Sequence, residues 1–293
     1  MPPLHVPVMV RKVLAALDPQ PGQTLVDGTL GGGGHARLLA ERIAPNGMLI
    51  ALDRDPRAIA AAEQHLRGLP VKLAQANFCD LPSVLDELSV DRVDGILLDL
   101  GLSSDQLADQ SRGFSFDATG ELDLRFNTDE GEPAWRLLAR LPEKQLADLI
   151  YKFGEERYSR RIARRIVDFR DAAPIHTAAD LSALVRRCVP RSPKECIDPA
   201  TRTFQALRIA VNRELESLEL ALERIPDRLT DGGHLVIISF HSLEDRLVKQ
   251  AFRGDPRLEA VTKKPLVACD EEVQQNPRSR SAKLRAARRV PRL

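Results

Sequence analysis

Between residues 24 and 99 short apolar runs alternate with segments of helix length, and few architectures accept that rhythm. The pattern predicts strands over 24–27, 48–53, 71–74 and 95–99, with helices over 35–43, 56–66 and 81–88. Strands that are apolar on both faces and separated by helices imply a parallel sheet with right-handed crossovers. The expected fold class is therefore α/β, a doubly wound, Rossmann-like sheet.

After Asp99 the rhythm changes. Residues 106–204 carry no strand pattern but show helical periods over 134–141, 143–153, 155–170 and 178–188. Residues 201–224 then read as one long helix and 229–239 as a turn followed by a strand, so the sheet resumes. For a chain of 293 residues this suggests a divided domain, 1–107 and 205–293, with a helical insertion at 108–204. Nine of the twelve aromatic residues fall within 106–204, as a small helical module needs large side chains to fill its own core. Aromatics in the loop 112–127 are set apart, because Phe114 and Phe116 could instead stack on bases.

Charge is nearly balanced, 43 Lys+Arg against 42 Asp+Glu, which argues against indiscriminate binding to polyanions. By position it is uneven. Residues 109–132 are acidic, whereas Arg157, Arg160, Arg161, Arg164 and Arg165 recur at helical spacing. The tail adds Arg278, Arg280, Lys283, Arg285, Arg288, Arg289 and Arg292 with no acid after Glu272. Both clusters are candidates for phosphate contact, the helix stripe within the insertion expected to recognise RNA. The four cysteines form no C-x-x-C pair and share no ligand spacing with the histidines, so neither zinc nor a disulfide framework is expected. No apolar stretch reaches membrane length and no secretory signal is evident, which places the chain in the cytoplasm. Oligomeric state, monomer or homodimer, stays open.

Asp27-Gly28-Thr29-Leu30-Gly31-Gly32-Gly33-Gly34-His35 follows the first strand and opens the first helix. Glycines there let the backbone turn sharply and approach a ligand, and no P-loop motif is present. Gly31, Gly33 and Ala36 match G-x-G-x-x-[GA], and Asp53, at the end of the second strand, could accept two ribose hydroxyls. These features fit a dinucleotide or another adenosine-containing cofactor. Asn77-Phe78 after the third strand offers an aromatic face to an adenine, and Asp99 after the fourth lies where a substrate meets the cofactor's reactive end. Hydride transfer has no particular need of a carboxylate there; a sulfonium cofactor with an amine substrate does. Asp55, before Pro56, reads as a helix N-cap, and His35 as either a ligand contact or a brace for the loop.

His5-Val-Pro-Val-Met9, the glycine loop, Asp53-Arg-Asp-Pro56, Gly95-Ile-Leu-Leu-Asp-Leu-Gly-Leu-Ser-Ser104, Arg112-Gly-Phe-Ser-Phe116, Thr201-Arg-Thr-Phe-Gln205, Ser239-Phe-His-Ser-Leu-Glu-Asp-Arg246 and Asn276-Pro-Arg-Ser-Arg-Ser281 together resemble the bacterial RsmH (MraW) family. The resemblance runs through nearly the whole chain in order. It implies a class I S-adenosyl-L-methionine-dependent methyltransferase that modifies N4 of a cytidine in the decoding region of 16S (small-subunit) rRNA, with the small ribosomal subunit as partner. It also implies cofactor contacts at Gly33, Gly34, His35, Asp53, Phe78, Asp99 and Gln106. Asp105, Ala108, Glu121 and Asn127 depart from the family pattern, near the expected substrate entrance.

The lone pair of a cytosine N4 is delocalised into the ring, so methylation there needs tight positioning and acceptors for the amino hydrogens. Asp99, Ser103 and the backbone carbonyls of residues 100–103 are the candidates. The base must be unstacked, with Phe114, Phe116 or Phe240 as possible platforms. Two rivals remain at this point, an NAD(P)-dependent oxidoreductase and a ribosome-assembly binding protein without catalysis.

Overall fold

The computed structural model describes residues 7–171, 173–190 and 197–291; His5, Cys196 and Arg292 lie outside them. The chain divides into two compact units, one of residues 1–103 with 215–293 and the other Ser104–Glu214, against the 108–204 expected for the insertion. In order, the first unit holds α1 (Val10–Leu17), β1 (Thr24–Asp27), α2 (Gly34–Ile43), β2 (Met48–Asp53), α3 (Pro56–His65), β3 (Val71–Gln75), α4 (Leu81–Glu87) and β4 (Val93–Asp99). The second holds α5 (Ser104–Ala108), α6 (Ala134–Arg140), α7 (Glu143–Gly154), α8 (Ser159–Arg170), α9 (Ala178–Cys188) and α10 (Thr201–Asn212). The chain then re-enters the first unit through α11 (Glu214–Arg224), β5 (Leu229–Ser239), α12 (Ser242–Gly254), β6 (Leu258–Ala260), β7 (Leu266–Val267), α13 (Asp270–Gln275) and β8 (Lys283–Arg289).

The sheet of the first unit is ordered β3-β2-β1-β4-β5-β8-β6, with β7 also on β8. Strands β1 to β5 are parallel, and β8 runs antiparallel between β5 and β6. Successive side chains of a strand face opposite sides of the sheet. Thus Val26, Ile50, Ile96, Leu98, Leu235 and Ile237 enter one core, while Leu25, Leu49, Ala51, Leu97, Val236 and Ile238 enter the other. Each fully buried Leu, Ile or Val stabilises the fold by roughly 1.5–3 kcal/mol, which is why the central residues of these strands are apolar on both faces. Helix starts are set locally: Asp55 accepts from Arg57 N–H with Pro56 at the first helical position, as the sequence predicts. His241 and Glu244 form a reciprocal cap at the start of α12.

Four expectations are corrected. Residues 201–224 are two helices, because Arg213 takes a left-handed conformation (φ 52°) between α10 and α11. Helix α8 begins at Ser159 rather than 155, since Glu155 is also left-handed (φ 49°) and the buried Glu156 accepts from Tyr158 N–H at 2.8 Å. The expected turn before β5 lies inside the strand as a bulge, with Gly232 at φ 83° and the register against β4 shifting between Val93 and Gly95. The basic tail is largely structural. Arg285 is buried against Asp245 (2.7 Å) and Arg289 beside Asp227 (3.5 Å), while Lys283 pairs with Asp245 and Arg288 with Glu259. Their alternation is that of β8, not of a phosphate-binding arm.

The helical unit has its own core, including Leu146, Ile150, Ile162, Ile166, Leu181, Val185 and Leu207. Its loop 112–127 is folded rather than open. The buried Arg112 donates to the carbonyls of Arg125 and Phe126, both at 2.6 Å. Asn212 accepts from Phe126 N–H (2.8 Å) and donates to the carbonyls of Leu124 (2.7 Å) and Arg208 (2.9 Å). Asn212→Ala strands buried backbone groups and should cost about 2–3 kcal/mol, read as a lower urea midpoint with an unchanged m-value.

Candidate active site

The carboxyl ends of β1, β2 and β4 bring three acids, Asp27, Asp53 and Asp99, to one edge of the sheet. The loop after β1 closes against them. Leu30 N–H reaches the Leu52 carbonyl, Gly31 N–H donates to Asp53 Oδ2 at 2.8 Å, and Asp53 Oδ1 takes the Asp55 N–H at 2.8 Å. Asp99 N–H donates to Thr29 Oγ1 at 2.6 Å, so the loop is tied to β2 and β4 at once. Gly31 (φ 49°) and Gly33 (φ 76°) occupy left-handed backbone, and Gly33 caps α2, which Gly34 begins. Gly28 meets a different demand: a Cβ there would lie 2.5 Å from Leu98 Cδ2 and 3.3 Å from Phe78 Cβ. A side chain at this position would force the buried Leu98 to move.

Gly33, Gly34, His35, Asp53, Phe78, Asp99 and Ser103 all belong to this unit, at or beside that edge. Phe78 is half-buried at the start of a short 3-10 turn, which Asn77 braces by donating to Ser217 Oγ (2.9 Å). His35 is buried, its Nε2 3.7 Å from Asp99 Oδ2. Ser103 packs where a Cβ on Gly31 would lie 3.4 Å away. Gln106 is buried in α5, within the helical unit, as are the remaining expected site residues.

Burial dominates the electrostatics. It pushes the Asp27 carboxyl up to about 7, with the Thr29 N–H opposing and the charges of Asp99 and Asp53 adding. Burial likewise raises Asp99 to about 7, against the lowering charge of Arg278 and with the raising charge of Glu244. Asp27 Oδ2 and Asp99 Oδ1 are buried without a hydrogen-bond partner. Such a cleft favours a cationic ligand, and a diphosphate would face three carboxylates. The residues present therefore fit S-adenosylmethionine better than a dinucleotide.

Sequence reasoning assigned Arg278 to phosphate contact with the rest of the tail, whereas it donates to the Leu102 carbonyl, one of the acceptors expected for the amine. The signal lay in the Asn276-Pro-Arg-Ser block. It also missed how closely Phe240 approaches the turn: a Cβ on Gly101 would lie 2.9 Å from two ring carbons. His241 is engaged with Glu244, whose N–H approaches Nδ1 at 3.4 Å while Oε1 lies 3.1 Å from Nε2.

In the helical unit, Arg157, Arg160, Arg161, Arg164 and Arg165 are all exposed. Arg157 precedes α8 and lies over the Tyr158 ring (4.7 Å), and Arg164 is 3.5 Å from Glu143. On the same helix Ile162 and Ile166 are buried, while Phe169 is exposed. Phe114 is corrected as a base platform: its ring is buried, stacked on Phe126 at 5.9 Å and covered by Arg112 at 5.3 Å. Phe116 is half-buried and edge-on to Phe204 at 5.0 Å.

Residues 3–290 match the model of the MraW methylase family. The chain belongs to that family. MraW methylase relatives at this similarity include a ribosomal RNA small subunit methyltransferase H from Rhodopirellula baltica, 51% identical over 297 residues, covering 98% of this chain and 91% of that protein. The enzyme of the same name from Pelobacter propionicus is 49% identical over 308 residues and 98% of both chains. That from a Cyanothece species is 50% identical over 289 residues, 98% of this chain and 95% of its own. For this MraW family member, Gly28→Ala should overpack the floor of the cleft and cost about 1–3 kcal/mol of stability, read as a lower urea midpoint, with weaker S-adenosylmethionine binding by calorimetry.

The raised acids also set a pH dependence. An Asp lifted from 3.8 to about 7 keeps its proton in the folded chain while the unfolded chain has released it. Stability therefore falls as pH rises from about 4 to about 7 and levels off above. Asp27→Asn should flatten that fall, measured by urea denaturation of the ligand-free chain across the range.

Proposed function

We infer that this chain transfers the methyl group of S-adenosyl-L-methionine to N4 of a specific cytidine in the decoding region of 16S rRNA, acting on the small ribosomal subunit in the cytoplasm. Family membership through residues 3–290, with relatives near half identity named as small-subunit rRNA methyltransferases, carries the reading. No helix of the described residues is long and apolar enough to cross a membrane.

When bound, S-adenosylmethionine supplies a methyl group on a positively charged sulfur. Gly33, Gly34 and His35 form one wall for it, Asp53 takes the ribose hydroxyls, and Phe78 lies along the adenine, with Gln106 as a further contact. Asp99 Oδ1 faces the acceptor amine and receives the proton that N4 must lose. A carboxyl raised to about 7 is a stronger base than an ordinary aspartate, yet still largely ionised slightly above neutrality. Ser103 and the turn it ends hold the amine in line. Leu102's carbonyl accepts from Arg278, which fixes the shape of the turn. In the helical unit the arginines 157, 160, 161, 164 and 165 meet RNA phosphates, and the half-buried Phe116 is the aromatic left for a base contact.

Wild-type protein incubated with unmethylated small subunits and S-adenosylmethionine should yield N4-methylcytidine by nucleoside mass spectrometry. Asp99→Ala should lower kcat by about 10²–10⁴, the range of general acid–base catalysis, with cofactor affinity within a few fold of wild type. Equal loss of cofactor binding would assign Asp99 to the cofactor alone. A thermal shift with NAD(H) but not S-adenosylmethionine would overturn the cofactor assignment.

A further inference from the structure

Several basic side chains around β8 are committed to acids, but Lys249, Arg253 and Lys263 are not. Among the described residues no ion pair or side-chain hydrogen bond involves Lys249, Arg253 or Lys263, and all three are exposed. They converge on one cleft of about 220 Å³ between α12 and the segment after β6. Its apolar floor includes Phe252 and Ala260, with Arg285 on β8 behind. The nearby acid is spent: Asp245 holds Arg285 at 2.7 Å and Lys283 at 3.5 Å, and although burial would raise it, those partners keep its carboxyl below the ordinary value. Glu259 is of opposite parity to Ala260 on β6, so it faces the other side of the sheet, where it pairs with Arg288. Among the described residues that line the cleft there is none with an acidic side chain, so it carries an excess of positive charge.

We propose that this cleft is a second contact for the rRNA backbone, separate from the α8 arginines, holding phosphates of the strand that flanks the target cytidine. The proposal rests on the rRNA reading above. Position supports it. Asp99 is in register with Ile238, and the chain leaves β5 at Ser239 to begin α12 at Ser242. Lys249 and Arg253 lie seven and eleven residues further on, roughly 10 and 17 Å along the helix. A strand whose target base sits beside Asp99 therefore reaches the cleft within a few nucleotides. The chemistry favours a polyanion over a small anion. Thr262 Oγ1 already accepts from Ala286 N–H at 3.0 Å, so the cleft offers long flexible cations at its rim rather than a rigid cradle of donors. Flexible lysines and an arginine over an apolar floor hold a charged backbone by counterion release, without selecting one phosphate.

The test uses the full chain carrying K249E, R253E and K263E together, all exposed and outside the cofactor site, with melting temperature as the folding control. Binding of an rRNA fragment bearing the target cytidine is measured against salt, alongside methylation of small subunits. The expected result is an affinity lower by about tenfold or more and a log–log salt slope shallower by about 2, as three lost single-strand phosphate contacts require. KM for subunits should rise while kcat and cofactor affinity stay unchanged. Unchanged fragment affinity and slope would overturn the proposal, as would a KM effect on subunits without any on the fragment, which would assign the cleft to a ribosomal protein. Because fragment binding is read independently of turnover, a wild-type protein that binds the fragment but methylates nothing would sink the functional reading and leave the cleft standing.

Discussion

Every feature of the cleft depends on the in-register pairing of parallel strands whose apolar runs, Leu25-Val26, Leu49–Leu52 and Ile96–Leu98, lead up to a closing Asp. Leu97 pairs with Asp27, and Asp27 with Ala51, so the acids that end β1, β2 and β4 arrive together at one edge without any contact designed between them. Hydrophobic burial on both faces fixes that register to the residue, since a slip of one would exchange the two cores. The acids are then held in an environment that penalises their charge. Strand packing thus does the electrostatic work, and the glycine loop only closes it.

That arrangement explains the two kinds of glycine in the loop. Gly31 and Gly33 are needed for backbone shape, Gly28 for closeness, and the second demand transmits the position of β4 to Phe78 through Leu98. The loop, β4 and the turn after β3 are consequently packed against one another with little room to shift. Asp53 contributes to the same constraint, since its two oxygens bind N–H groups on either side of it, at Gly31 and Asp55.

The parallel half of the sheet was readable from sequence because its signal is local. Apolar runs such as Met48–Asp53 admit no other use. Strand β8 was not readable, because Arg285 and Arg289 occupy core-facing positions and look like surface charge until Asp245 and Asp227, far away in sequence, are seen to neutralise them. The break at Arg213 was hidden for a related reason: it is a single left-handed residue with no glycine to mark it. Phe114 shows the limit at the site. A loop rich in glycine and acids reads as open, yet Arg112 and Asn212 satisfy its backbone and turn the ring inward. Gln106 could be placed only by resemblance, since nothing local marks its role.

Strands β4 and β5 are neighbours in the sheet, yet residues 100–228 separate them along the chain. Loop-closure entropy grows only logarithmically, so a long excursion in place of a short crossover costs about 1–2 kcal/mol at equilibrium. Its effect on timing is larger. During synthesis β1 to β4 emerge as a half-sheet with an unpaired edge, and that edge stays open until the whole helical unit has been made. Until then the growing chain carries a sticky strand edge, and early folding of the helical unit, with its local contacts, removes that unit's own exposed apolar segments from the wrong pairings open to the edge.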